Sequence, residues 1–85
     1  MKKRKIAYVR WCDASYQRGE ITKSEVVPHI ELESVGMLIR QDADTVSIGL
    51  DYNPLDKSWR FVLNIPRANI VSMIVFKRPK DEDST

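Results

Sequence analysis

From Ser34 to Phe76 the chain alternates apolar and polar positions with the period of two that belongs to β-strands, and short polar turns separate the runs. Val46, Ile48 and Leu50 alternate with Ser47, Gly49 and Asp51. Trp59, Phe61, Leu63 and Ile65 do the same against Arg60 and Asn64, so both runs predict strands whose apolar set faces a core. Between them, Asn53-Pro54 and Asp56-Lys57-Ser58 predict a turn, because Pro fixes its φ and Asn and Asp tolerate turn angles. Nearer the start, Ala7, Val9 and Trp11 interspersed with Tyr8 and Arg10 predict a first strand from Ile6 to Cys12. Residues 13–23 are polar, contain Gly19 and read as a long loop. One helical turn fits at Ser24-Glu25-Val26-Val27 before Pro28 ends it.

After Pro28, Ile30 and Leu32 alternate with Glu31 and Glu33. Val35, Met37 and Ile39 then carry the apolar positions one residue out of step, with Leu38 apolar on the opposite face. A slip of one residue at Gly36 predicts a β-bulge or a sharp bend, by which one long strand serves two sides of a small barrel. Asp42-Ala43-Asp44 predicts the tip of a hairpin leading into Thr45–Tyr52, and Pro66-Arg67-Ala68 a short turn into a last strand from Asn69 to Phe76. That strand is apolar on both faces, with Ile70, Ile74 and Phe76 on one and Val71, Met73 and Val75 on the other, which predicts a partner subunit over one of them. The expected fold is all-β: a small five-stranded, strongly bent barrel over residues 6–76, preceded by a basic N-terminal arm (1–5) and followed by a charged, disordered tail (77–85).

At 85 residues the chain is one domain. A domain of that size buries only about 60% or slightly more of its unfolded surface, so self-association would widen a thin stability margin. The formal net charge of +2 is unevenly spread. Residues 1–10 hold five cations (Lys2, Lys3, Arg4, Lys5, Arg10) and no acid, whereas residues 11–76 hold six basic against nine acidic side chains. The body is therefore mildly acidic, which disfavours a nucleic-acid surface spread over the barrel and leaves a basic arm reaching a phosphate backbone as the electrostatic option.

The chemistry-bearing residues read mostly as structural. A single cysteine, Cys12, excludes an intramolecular disulfide framework, and with His29 as the only other soft ligand a four-ligand zinc site is excluded too. Cys12 reads as a small hydrophobe at a strand end, Asp42 and Asp44 as turn formers, Glu31 and Glu33 as an exposed strand face, and His29 as a strand-start residue with no sequence partner to orient it. No nucleophile, base and orienting group assemble by spacing, so an enzyme built on Cys12, Asp13, His29 or the Asp42/Asp44 pair is the disfavoured reading, and no metal, cofactor or small-molecule substrate is expected. No apolar run approaches the roughly 18 residues of a membrane span, and Ile6-Ala7-Tyr8-Val9 is cut off at once by Arg10, so a cytoplasmic location is expected.

Two resemblances attach to particular residues. Gly36, Leu38 and Asp42 stand at the spacing G-x-L-x-x-x-D of the first motif of Sm-like proteins, and Ile65-Pro66-Arg67-Ala68-Asn69-Ile70-Val71 keeps the ends of their second motif, I-R-G-x-x-I-V. The chain thus resembles the Sm-like and SH3-like small barrels, and both strand orders stay open. Val46 stands where the Sm-like first motif has its base-contacting Asn, and Pro66-Arg67 stands in place of its Arg-Gly pair. Over roughly residues 9–75, Val9-x-Trp11-x-Asp13, Ser34-Val35-Gly36-x-Leu38-Ile39 and Ile65-Pro66-x-x-x-Ile70 are similar to small proteins of bacteriophages and prophages, which implies an origin rather than a mechanism.

The function expected from these features is a non-enzymatic binding and assembly module of phage or bacterial origin. By the Sm-like resemblance it is a homo-oligomeric ring that binds RNA. Lys2, Lys3, Arg4, Lys5 and Arg67 are the candidate phosphate contacts, Tyr52 and Trp59 the candidate stacking platforms, and Ile70, Val71, Met73, Val75 and Phe76 the candidate subunit interface. The alternative is a protein-binding accessory or inhibitor factor acting on a host complex through an exposed strand edge.

Overall fold

The computed structural model describes residues 4–15 and 17–77. Lys2, Lys3 and the tail residues 78–85 lie outside the described residues. Five strands, β1 (Lys5–Asp13), β2 (Ile30–Gln41), β3 (Thr45–Asn53), β4 (Ser58–Pro66) and β5 (Ile70–Lys77), form one antiparallel sheet in the order β4-β3-β2-β1-β5. Two single 3-10 turns, Lys23–Glu25 and Arg67–Asn69, are the only helical elements among the described residues. The first falls beside the one-turn segment expected before Pro28. Its Thr22 and Glu25 form a capping box, Thr22 N–H donating to Glu25 Oε1 at 2.9 Å. No ladder joins β4 to β5, so the expected barrel is not closed, and each of these strands keeps a free edge.

The long β2 divides its pairing between two neighbours. Its first part, Ile30 to Met37, pairs with β1, and its last part, Met37 to Gln41, pairs with β3. The expected bulge at Gly36 is not there. The β1–β2 register runs unbroken through Val35 and Gly36, and the irregularity falls between Leu38 and Arg40 on the β3 side, which makes Ile39 the extra residue. The change of phase at Gly36 marks a change in which face of β2 is apolar. Gly36 instead permits close approach: a Cβ there would stand 3.0 Å from Gly49 O and 3.2 Å from Ile48 Cβ.

Ala7, Val9, Trp11, Val46, Ile48 and Ile65 are the buried core, with Leu38, Leu63, Ile70 and Met73 packed against it. Complete burial of Val9, Val46 and Ile65 contributes about 1.5–3 kcal/mol each. Trp11 keeps its indole N–H satisfied by donating to Ser34 Oγ at 3.0 Å.

Three expectations about which side chains are inside need correction. Leu50 and Phe61, expected in the core with Val46 and Leu63, are 61% and 70% exposed. The β2–β3 pairing ends at Met37↔Gly49, so the hairpin beyond it has no facing strand to pack on. Phe61 also sits at φ 56°, in the left-handed region, which breaks the alternation of β4. In β5 the two faces are not those the alternation predicts. The register shifts between Arg10 and Trp11, so Trp11 pairs with Ile70, Val9 with Met73 and Ala7 with Val75, and Val71 is the unpaired extra residue. Ile70, Met73 and Val75 therefore share the core side, and Ile74 and Phe76 the other.

Candidate functional site

The β3–β4 hairpin turns at Pro54 to Lys57, where Asn53 Oδ1 accepts from the Leu55 N–H at 3.0 Å and Asp56 Oδ1 from the Ser58 N–H at 3.1 Å. Lys57 closes the turn at φ 59°. This register sets Tyr52 opposite Trp59, with ring centroids 4.7 Å apart and planes tilted by 53°. Trp59 can lie close to the sheet only because residue 49 is glycine: a Cβ there would stand 2.7 Å from Trp59 Cε3 and 2.9 Å from Ile39 Cδ1. The bulge that frees Ile39 and the glycine that admits the indole thus build one wall.

The other wall comes from the chain's basic start. The Arg4 guanidinium carbon lies 3.5 Å from the Tyr52 ring centroid and 5.6 Å from that of Trp59. Arg4, Lys57, Tyr52, Trp59, Leu38 and Ile39, with Pro54, line an open cleft of about 620 Å³. Two cations and two half-buried aromatic rings face one space, which is the chemistry of a platform for a flat, electron-rich group joined to an anion. Lys57, Leu38 and Ile39 were not marked in the sequence. Lys57 was within reach of sequence reasoning, since it sits in the turn that links the two aromatic residues.

Of the sequence-derived candidates, Arg4, Tyr52 and Trp59 come together here, whereas Lys5, exposed at the start of β1, does not line the cleft. Arg67 does not join them. Its Nη2 donates to Gln41 Oε1 at 2.8 Å, its Nε donates to the Asp42 carbonyl, and its backbone N–H donates to Asp44 O at 2.8 Å, so it braces the β2–β3 turn. Asp42 is equally engaged. It accepts from the Asp44 and Thr45 N–H groups at 2.9 Å each and from Arg40 at 3.1 Å, and the two backbone donors hold its carboxyl below the usual range.

Among the candidate interface residues, Ile70 and Met73 are packed on the core, while Val71, Val75 and Phe76 are exposed. Cys12, Asp13 and His29 do meet, in a second shallow cleft with Asn69, whose Nδ2 donates to the Cys12 carbonyl at 2.9 Å. Among the described residues no three His, Cys, Asp or Glu side chains gather to hold a metal ion, and no helix is long and apolar enough to cross a membrane. No family model, no curated protein and no solved structure matches this chain.

Proposed function

We propose that the chain is a non-enzymatic binding and assembly module of phage or bacterial origin, and that its Arg4–Tyr52–Trp59 cleft takes single-stranded nucleic acid, RNA first. The observation that carries this reading is the convergence of Arg4, from one end of the chain, with Tyr52, Lys57 and Trp59 from a single hairpin. Base stacking on an aromatic ring contributes about 1–3 kcal/mol per base and accepts any sequence. Cations beside the ring supply the salt-dependent attraction to phosphate. Lys2 and Lys3 precede Arg4 in the sequence and extend the positive charge from the cleft outward. The acidic body favours confining binding to this end.

The strand order, in which β5 returns to pair with β1 after a single 3-10 turn, supports the small-barrel, Sm-like reading of the fold, and with that reading goes the proposal that several copies assemble in the cytoplasm. The alternative, a protein-binding accessory factor, draws on the free edges of β4 and β5, which could each accept a strand from a host protein.

The test is light scattering on a sizing column, with absorbance read at two wavelengths across the peak. The nucleic-acid reading expects an oligomer carrying nucleic acid that high salt removes. Protein free of nucleic acid at low salt, with no affinity for added oligonucleotide, would leave the strand-edge alternative.

A further inference from the structure

The Tyr52 face under Arg4 is closed to a base. The Arg4 guanidinium carbon stands 3.5 Å from the ring centroid, an ordinary van der Waals separation. With C–N bonds of about 1.3 Å, an edge-on guanidinium at that height would drive a nitrogen into the ring, so the two planes lie face to face. A base inserted between them would need twice the separation. Trp59 adds no second layer parallel to the first, because its ring is tilted by 53° from that of Tyr52 with the centroids 4.7 Å apart. The indole is a side wall of the cleft, set against Gly49.

What lies parallel to the Tyr52 ring and lines the cleft is the guanidinium itself, on a side chain that is only half-buried. The ion pairs among the described residues are Arg10–Glu31, Arg40–Asp42 and Arg60–Asp51, so none of these carboxylates holds Arg4 and the ring does. A guanidinium is planar, delocalised and weakly hydrated, and it stacks on bases as it does on aromatic rings. A base laid on its outer side keeps the cation–π contact beneath, whereas a base that displaced it would forfeit that contact.

We propose that Arg4, held flat by Tyr52, is the stacking platform, and that the cleft takes one unpaired base on it in a three-layer stack of ring, guanidinium and base. Lys57, in the hairpin turn that lines the same cleft, meets the phosphate of that nucleotide. Tyr52 is a positioning residue that acts through Arg4. With one stacking plane the ligand is a single nucleotide unit, purine ahead of pyrimidine because the larger ring system covers more of the guanidinium. Stacking leaves the base edges unread, so the site accepts any sequence. The inference rests on the single-stranded nucleic-acid reading of this cleft and names the unit it takes and the surface that receives it.

The experiment titrates a labelled single-stranded RNA 12-mer with the full chain, with Arg4→Lys and with Tyr52→Phe, and then competes the wild-type complex with adenosine monophosphate or ribose 5-phosphate. Lysine keeps the charge and lacks the plane, so Arg4→Lys should bind roughly tenfold more weakly with an unchanged salt slope. Phenylalanine keeps the supporting ring, so Tyr52→Phe should bind as the wild type does. Adenosine monophosphate should displace the RNA, and ribose 5-phosphate at the same concentration should not. A wild-type chain that binds no RNA would overturn the nucleic-acid reading and this inference together. With wild-type binding intact, full affinity in Arg4→Lys would reduce Arg4 to a charge and overturn the platform alone. Weakened binding in Tyr52→Phe would overturn the supporting role of the ring. Equal displacement by the two competitors, which needs no variant to fold, would overturn stacking of the base.

Discussion

Gly49 and the Trp59 ring are in a contact that leaves no room for a side chain: a Cβ on residue 49 would approach Trp59 Cε3 to 2.7 Å, and Ile39 Cδ1 closes the same space at 2.9 Å. Gly49→Ala must therefore displace the indole or the strand. Overpacking of this kind costs about 1–3 kcal/mol. Denaturant unfolding should show that loss, and the tryptophan emission of the folded variant should shift as Trp59 moves. Because the same ring forms the cleft wall, oligonucleotide affinity should fall with it.

Lys57 separates stability from binding. A non-glycine residue in the left-handed region is strained by about 1–2 kcal/mol, so Lys57→Gly, at φ 59°, should raise the unfolding midpoint. The same change removes a cleft cation and should weaken nucleic-acid binding and reduce its salt slope by about 1. Parallel melting and titration check both halves. A variant that loses stability would contradict the strain argument, and one that binds as before would remove Lys57 from the site.

Arg4→Ala should leave the fold nearly untouched, since an exposed cation–π pair contributes only about 0.5–1 kcal/mol. It should lower affinity for single strands and flatten its dependence on salt. Arg67→Ala should do the reverse, because its two side-chain hydrogen bonds, to the Asp42 carbonyl and Gln41 Oε1, hold the β2–β3 turn. That variant should lose stability and keep the salt slope of binding.

Asp42 links stability to acid. Its carboxyl is held below the ordinary value by the Asp44 and Thr45 N–H groups, so the folded state binds the proton less readily than the unfolded one. The contribution is fully present above the unfolded value of about 4 and fades as pH falls through the lower folded value. Wild-type stability should drop across that interval, and Asp42→Ala should remove this part of the pH dependence. Urea unfolding between neutral pH and strong acid measures it, and identical slopes in both proteins would contradict the assignment.

Much of the strand plan was legible in the sequence for local reasons. Alternation around Val9, Val46 and Ile65 is a backbone property, and Asp42, Asn53 and Asp56 cap their own turns by hydrogen bonds to neighbours two or three residues on. What was not legible depends on a partner strand. The extra residue in β5 is Val71, and the bulge in β2 falls at Ile39 rather than Gly36, because each is defined by register against β1 or β3. The same holds for the exposure of Leu50 and Phe61, which follows from where β2 leaves β3. For the cleft, the Tyr52–Trp59 pair could be read from the hairpin between them. The arrival of Arg4 over that pair could not, since nothing local joins residue 4 to residue 52.

The central claim is that the Arg4–Tyr52–Trp59 cleft holds single-stranded nucleic acid, and the most direct measurement is a titration of a fluorescently labelled single-stranded RNA 12-mer, followed by anisotropy, with the wild-type chain and Tyr52→Ala. The account predicts saturable binding that weakens with added salt and a loss of about 1–3 kcal/mol on removing the tyrosine ring. Anisotropy that stays flat at low salt, or an affinity that Tyr52→Ala leaves unchanged, would contradict it.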